Sequence, residues 1–240
     1  VNAKSAILVP EEGIADYGRV CATLEILLIE AGADIVTGAE VRLLERRSSL
    51  WRITTNSGVF ESRMIVNCAG LHSDRIVTMA GGDPGCRIVP FRGEYHRLKP
   101  EREHLVRHLI YPLPEPGFPF LGVHFTRRIG GGIDAGPNAV LAFAREGYDL
   151  ATINLMDLRS ALTFSGLWCF VAKHPHMVAR ELGQSFDRRR FLTALQRLVP
   201  EISDQDLVPS GSGVRAQAMN ARGQLINDFV WSQSPGAIHV

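Results

Sequence analysis

The chain has 240 residues, with 26 Lys and Arg against 25 Asp and Glu for a net charge of +1, 45% hydrophobic residues, 23 Gly, 13 Pro and 4 Cys. This balance supplies a buried core for one or two domains and excludes disordered, collagenous and coiled-coil chains. The even charge argues against a nucleic-acid partner, which needs a clustered basic excess. No apolar run reaches the roughly 18 residues of a membrane-spanning helix, since Leu24 to Ile29 is interrupted by Glu25 and followed by Glu30. The opening Val1-Asn2-Ala3-Lys4-Ser5 shows no export signal, which sets the expectation of a cytoplasmic protein.

In chain order, Asp16 is a good N-cap, Val20, Leu24, Leu27 and Leu28 share one face, and Gly32 supplies a stop, so a helix of about four turns is predicted. Short β-prone stretches follow at Asp34 to Val36, Val41 to Glu45, Trp51 to Thr55 and Val59 to Met64, with a turn at Asn56-Ser57-Gly58, which together read as a meander. The apolar run Ile65 to Ala69 ends at Gly70, and Ser73 to Ala80 has helical texture, giving a strand, a tight turn and a helix. From Cys86 the chain turns to strands and prolines, at Arg87 to Val89, Glu94 to Leu98, Leu109 to Tyr111, Phe120 to Phe125 and Arg128 to Ile133, punctuated by Pro112, Pro114, Pro116 and Pro119. Tyr148 to Val199 is helical by periodicity with a break near Lys173 to His176, and short strands are predicted at Gly213 to Ala218, Gly223 to Ile226 and Ala237 to Val240.

Several local patterns carry little chemistry. The run Arg188-Arg189-Arg190 precedes Phe191, Leu192, Leu195 and Leu198 at helical spacing and reads as a solvated helix start. Cys21, Cys68, Cys86 and Cys169 are scattered without a C-x-x-C pair, so buried free thiols are expected rather than a zinc ribbon or disulfide framework. Gly130, Gly132 and Ala135, and again Gly211, Gly213 and Ala216, fit a loose G-x-G-x-x-A pattern, but neither stands between a strand and a long helix, so both read as turns. His104 with His108, and His174 with His176, lack a convincing third ligand, and no metal is expected.

The segments Pro10 to Tyr17, Asn67 to Asp74, Phe91-Arg92-Gly93-Glu94-Tyr95, Phe120 to Thr126, Gly136 to Phe143 and Gly213-Val214-Arg215-Ala216 together resemble flavin-dependent oxidoreductases of the D-amino-acid-oxidase superfamily. The likeness is greatest to the branch that oxidises L-2-hydroxyglutarate, and it covers nearly the whole chain. It implies a mixed α/β (α+β) fold: an incomplete FAD-binding domain in residues 1–85, an antiparallel-sheet-plus-helices substrate domain in 86–209, and a return to the FAD-binding domain in 210–240. The family opens with a G-x-G-x-x-G turn and closes with a Gly-rich segment, both against the flavin, and this chain has neither. The expectations are therefore more chain beyond the strand-like Ile238-His239-Val240 and poor FAD binding by this stretch alone.

The resemblance implies oxidation of a small L-2-hydroxy acid to its 2-oxo acid with FAD as cofactor. Arginine suits carboxylates because its planar fork bonds bidentately. Arg215 is the first expectation for the substrate carboxylate and Arg92 the second, with a turn-anchoring role for Arg92 equally open. His124, in an apolar strand, is the expected base, with a satisfied core histidine as the alternative, and His72 is a second base or a flavin-side contact. Tyr95 is either a carboxylate donor or an ordinary half-buried strand residue. Asn67, Cys68, Ala69, Gly70, Gly213 and, towards the adenine end, Val41 are the expected flavin contacts. Electrons would pass to oxygen or to a peripheral membrane quinone acceptor, and no oligomeric state is implied. The competing readings are a non-catalytic remnant and an oxidoreductase of amino acids, sarcosine or glycerol 3-phosphate.

Overall fold

The computed structural model describes residues 3–113, 121–149 and 151–240, with Phe186 described by its backbone alone. The elements are α1 (Tyr17–Glu30), β1 (Val41–Arg47), β2 (Leu50–Thr55), β3 (Val59–Ser62), β4 (Ile65–Asn67), α2 (Ser73–Met79), β5 (Arg87–Leu98), β6 (His124–Arg127), β7 (Ile133–Gly136) and β8 (Val140–Leu141). They continue with α3 (Leu155–Leu162), α4 (Ser165–Lys173), α5 (Pro175–Phe186), α6 (Arg188–Gln196), β9 (Leu207–Met219), β10 (Ser232–Ser234) and β11 (Ala237–His239). They form two compact units, one of residues 13–85 with 228–240, the other of residues 86–227 with the segment up to Glu12.

In the smaller unit, Asp16 accepts a bond from the Arg19 amide at 3.2 Å and caps α1, and Gly32, at φ +83°, ends it. No residue of α1 is buried, so its apolar face, Leu24, Leu27 and Leu28 included, stands open. β1, β2 and β3 form an antiparallel meander whose turn closes through Thr55 N–H to Gly58 O at 2.8 Å. A second sheet has the order β10, β11, β4, with β11 parallel to β4. Leu44, Trp51 and Ala237 make the core, and the Trp51 indole N–H satisfies its polar edge on Gly236 O at 2.8 Å.

The turn after β4 is tied down by buried Asn67. Its Oδ1 accepts from the Ala69 amide at 3.1 Å, and its Nδ2 donates to Ser73 O at 3.0 Å and towards His239 Nδ1 at 3.2 Å. An amide NH2 only donates, so His239 Nδ1 is the acceptor and the ring is neutral, with its proton on Nε2 facing Ser234 Oγ at 3.4 Å.

The larger unit is built on β5, which pairs antiparallel with β9 from Arg87↔Met219 to Leu98↔Leu207 on one side and with β7 and β8 on the other. Helices α3, α4 and α5 bury Phe164, Leu167, Phe170 and Met177 with Val89 and Phe91 at one end of this sheet. α6 buries Phe191 and Leu195 with Leu98, Phe125 and Ile133 at the other. Asp187 caps α6 on the Arg189 amide at 2.9 Å, so the triple-arginine run is a helix start as expected.

Several strand expectations are corrected. Asp34 to Val36 finds no partner strand among the described residues and runs into the turn at Gly38, φ +67°. Arg128 to Ile133 is a hairpin turn in which Gly131 and Gly132 take positive φ, and pairing resumes only at Ile133. Gly223 to Ile226 makes one isolated bridge, Leu225 to Met219, and Leu109 to Tyr111 another, Ile110 to Phe125. The two pieces expected at Arg87 to Val89 and Glu94 to Leu98 are one strand, because the long pairing with β9 carries across Pro90 and Gly93. None of the four cysteines is in a disulfide, but Cys21, Cys68 and Cys169 are exposed rather than buried: one sits on the uncovered helix α1, one in the turn after β4 and one on α4. Phe120 and Pro114, Pro116 and Pro119 lie outside the described residues.

Burial holds the pKa of His239 below the ordinary histidine value. Folding then excludes a proton that the unfolded chain takes up below about pH 6.5, so this contribution is present above that pH and lost as pH falls. Urea midpoints measured from about pH 7.5 to pH 5.5 should fall for the wild type and fall less steeply for His239→Gln. Equal slopes would remove His239 from the acid sensitivity.

Candidate active site

Where β5, β9 and the residues after β7 meet, they enclose a cavity of about 170 Å³ lined by Arg92, Gly93, Tyr95, Leu121, Asn138, Gly213 and Arg215, among others. Its wall depends on close backbone approach. A Cβ built on Gly93 would lie 2.6 Å from Pro137 Cβ and 2.9 Å from Asn138 O, so only glycine fits under this loop. Gly136, at φ +131°, enters the loop in a conformation that L side chains rarely adopt.

Carboxylates then hold the loop. Asn138, buried, uses both ends of its amide on Glu94: Oδ1 accepts from the Glu94 backbone N–H at 2.8 Å and Nδ2 donates to Glu94 Oε2 at 2.9 Å. Arg92 Nη2 donates to Glu94 Oε1 at 2.7 Å and Ser185 Oγ donates to Oε2 at 3.1 Å. One residue on, the Ala139 amide donates to Glu181 Oε2 at 2.9 Å, from α5. Burial pushes the Glu181 carboxyl above the usual range, only partly offset by that amide and by Arg180.

The two arginines expected to meet a carboxylate differ. Arg92 is 2% exposed and paired with Glu94, with its Nε buried and unbonded. Arg215, on β9 opposite Phe91, is exposed and borders the cavity. Its charge lowers the pKa of both Tyr95 and His124, so it acts on both groups electrostatically. Burial is the larger influence on each, raising Tyr95 and lowering His124.

His124 opens β6, and its Nδ1 lies 3.0 Å from Gly122 O. A carbonyl only accepts, so Nδ1 carries the proton and Nε2 presents a lone pair. Burial and Arg215 hold the ring neutral, opposed only by the Gly122 bond. A neutral imidazole with a free Nε2 is the form a general base needs.

The flavin-side residues expected from sequence lie in the smaller unit, except Gly213. Val41 begins β1, and Asn67, Cys68, Ala69 and Gly70 form the turn from β4 towards α2, with His72 just before that helix. Cys68, Ala69 and Gly70 are exposed, with small side chains, at the carboxyl end of a strand paired in parallel, which is where α/β sheets bind nucleotides. A Cβ on Gly213 would meet nothing within 4 Å, so its backbone is open to a flat group from the cavity side. Within the smaller unit, the small exposed residues of the turn after β4 fit a flavin approached through backbone.

The first loose glycine pattern is the expected turn, and the second is strand instead. Gly130 to Gly132 forms the β6 to β7 hairpin turn, and Gly211 to Ala216 lies inside β9. Among the described residues no group of three or more His, Cys, Asp or Glu is placed to hold a metal ion. Sequence reasoning missed Glu94 and Asn138 as the brace of the site, although both stand in the segments that carried the resemblance. It also missed Glu181 and Tyr111, whose partners are remote in sequence.

A family profile for FAD-dependent oxidoreductases (the DAO family) matches residues 2–240, and the chain belongs to that family. It is 43% identical over 237 residues to an L-2-hydroxyglutarate dehydrogenase of Indibacter alkaliphilus, covering 98% of this chain and 59% of the relative. It is 40% identical over 240 residues to the L-2-hydroxyglutarate dehydrogenase of Escherichia coli K12, covering 100% of this chain and 57% of the relative. The chain thus spans less than two thirds of the length of these curated relatives. Among solved structures it superposes on a dithionite-reduced L-α-glycerophosphate oxidase from Mycoplasma pneumoniae with FAD bound, with a TM-score of 0.62, 17% identity, and coverage of 90% of this chain and 48% of that one. The fold expected from sequence, α and β elements mixed in a flavin-oxidoreductase arrangement, is the fold observed.

The brace gives a paired prediction. Gly93→Ala forces the loop away and should cost about 1–3 kcal/mol in urea unfolding, whereas Gly213→Ala, with open space before it, should leave stability within about 1 kcal/mol of wild type. Equal losses would show that the close approach is not what holds the loop.

Proposed function

We propose that the cavity is the substrate site of an FAD-dependent oxidoreductase that converts L-2-hydroxyglutarate to 2-oxoglutarate. The observation that carries this reading is an exposed arginine on the cavity rim, Arg215, beside Tyr95 and close enough to act electrostatically on His124, a histidine outside the cavity lining whose Nδ1 is held on Gly122 O. The names of the 40–43% identical relatives supply the substrate. Bound FAD supplies the acceptor for the hydride equivalent leaving the substrate C2 carbon. On the resemblance, Asn67, Cys68, Ala69 and Gly70 of the smaller unit would hold it, with Val41 towards the adenine end, and Gly213 of the larger unit is a further expected contact.

The remaining work falls to this chain's side chains. Arg215 forms a charge-assisted, bidentate bond to a substrate carboxylate and fixes C2. His124 Nε2 takes the hydroxyl proton, so the alcohol loses two electrons and two protons in all, one proton to the imidazole and the other within the hydride. Tyr95 donates its phenolic proton to a substrate oxygen, and its raised pKa keeps it a donor at neutral pH. Arg92 acts chiefly through Glu94 as part of the brace, and His72 serves on the flavin side. Residues 1–85 with the carboxyl-terminal stretch form the flavin-binding part and the middle of the chain the substrate part. No described helix is long and apolar enough to cross a membrane. We place the protein in the cytoplasm, with oxygen or a peripheral quinone pool as the final acceptor.

In flavin-loaded protein, Arg215→Met should lower kcat/KM for L-2-hydroxyglutarate by about 100-fold, the worth of roughly 3 kcal/mol of charge-assisted bonding, and Arg215→Lys by less. His124→Gln should lower kcat by about 10²-fold or more and abolish the acidic limb of the pH profile. That limb should lie below the ordinary histidine range, because the folded-state pKa is depressed and the neutral form is the active one. Wild-type kinetics in Arg215→Met would remove the arginine from the site.

A further inference from the structure

We propose that Tyr111 is the positioning residue of His124, its ring stacked on the imidazole so as to hold the ring plane and to stabilise the imidazolium formed when Nε2 takes a proton. The inference rests on the reading of His124 as base and adds a residue to it.

The backbone sets this pair. Ile110 and Phe125 exchange both backbone bonds, N–H to O at 3.0 and 2.9 Å, which adds a one-residue bridge to the edge of β6. In an antiparallel pair the next residue of one strand faces the preceding residue of the other, so Tyr111 stands opposite His124. Their ring centroids are 4.5 Å apart at an interplanar angle of 27°. The phenol oxygen reaches Thr126 Oγ1 at 3.4 Å, and the imidazole is held on its other edge by Gly122 O at 3.0 Å. The ring is thus fixed by one hydrogen bond in its plane, through Nδ1, and one aromatic face across it.

The electrostatics give the stack a second purpose. The charged and titratable groups around the pair are Arg215 from β9, Tyr95 from β5 and Asp134 from β7, the last bonded to Arg97 and Ser210. Arg215 and burial both oppose a cation on His124. A π face attracts a cation laid against it, so Tyr111 offsets part of that opposition at the moment of proton transfer. Position alone would be served by any ring-sized residue, whereas stabilising the imidazolium requires an aromatic one.

The test is the NMR titration of the His124 ring in the full 240-residue chain, in wild type, Tyr111→Phe and Tyr111→Leu. Tyr111 is 40% exposed, so truncation spares the core. Tyr111→Phe should keep the wild-type pKa and the Nδ1-protonated tautomer, and Tyr111→Leu should lower the pKa by about half a unit or more and broaden the ring signals. One pKa and one tautomer in all three proteins would overturn the proposal, as would a shift of equal size in Tyr111→Phe. The acidic limb of kcat/KM in flavin-loaded Tyr111→Leu then separates the two readings. A ring pKa that moves without the limb leaves the Tyr111 pairing standing and removes His124 as the base.

Discussion

The site depends on one close approach, that of the Pro137-Asn138 backbone over Gly93. Absence of a side chain at Gly93 lets the loop lie on β5, and the Asn138 amide then closes on both the backbone and the carboxylate of Glu94. Glu94 is half-buried; Arg92 pairs with it at 2.7 Å and the Ser185 hydroxyl donates to it at 3.1 Å. Glu181 holds the following amide from the helix side. Hydrogen bonds therefore tie down and stiffen this wall of the cavity, although Arg92 Nε among them stays buried and unbonded.

That rigidity decides which cation can serve a substrate. Arg92 spends its fork on Glu94, while Arg215 borders the same cavity from an exposed position on β9. Placing the exposed Arg215 cation near His124 and Tyr95 has a cost and a use. It disfavours a charged histidine, and under the proposed reading it would attract an anionic substrate whose own charge offsets it. Stacking by Tyr111 supplies the complementary half, attraction for the imidazolium once it forms.

Local signals were legible in the sequence. The Asp16 cap and Gly32 stop of α1, the Asn56 to Gly58 turn, the strand-turn-helix through Gly70 and the Asp187-capped start of α6 all depend on neighbours within a few residues, and the resemblance carried the family. Pairing between distant segments was not legible. β5 and β9 are joined across more than a hundred residues, and that pairing, not local propensity, makes Arg87 to Leu98 one strand. Conversely, Asp34 to Val36 has strand texture and no partner strand among the described residues. Glu94, Asn138 and Arg215 could be quoted from motifs, but the partition of roles between Arg92 and Arg215 needed the ion pair to be seen. Nothing in the spacing of Tyr111 and His124 marks them as opposite residues on a bridge.

The central claim is that this cavity binds an L-2-hydroxy dicarboxylate for oxidation by flavin, and anaerobic titration of the flavin-loaded protein tests it most directly, with the visible absorption of oxidised flavin as the signal. The account predicts that L-2-hydroxyglutarate bleaches the band while its D enantiomer does not. A band untouched by L-2-hydroxyglutarate but bleached by an amino acid, sarcosine or glycerol 3-phosphate would contradict it.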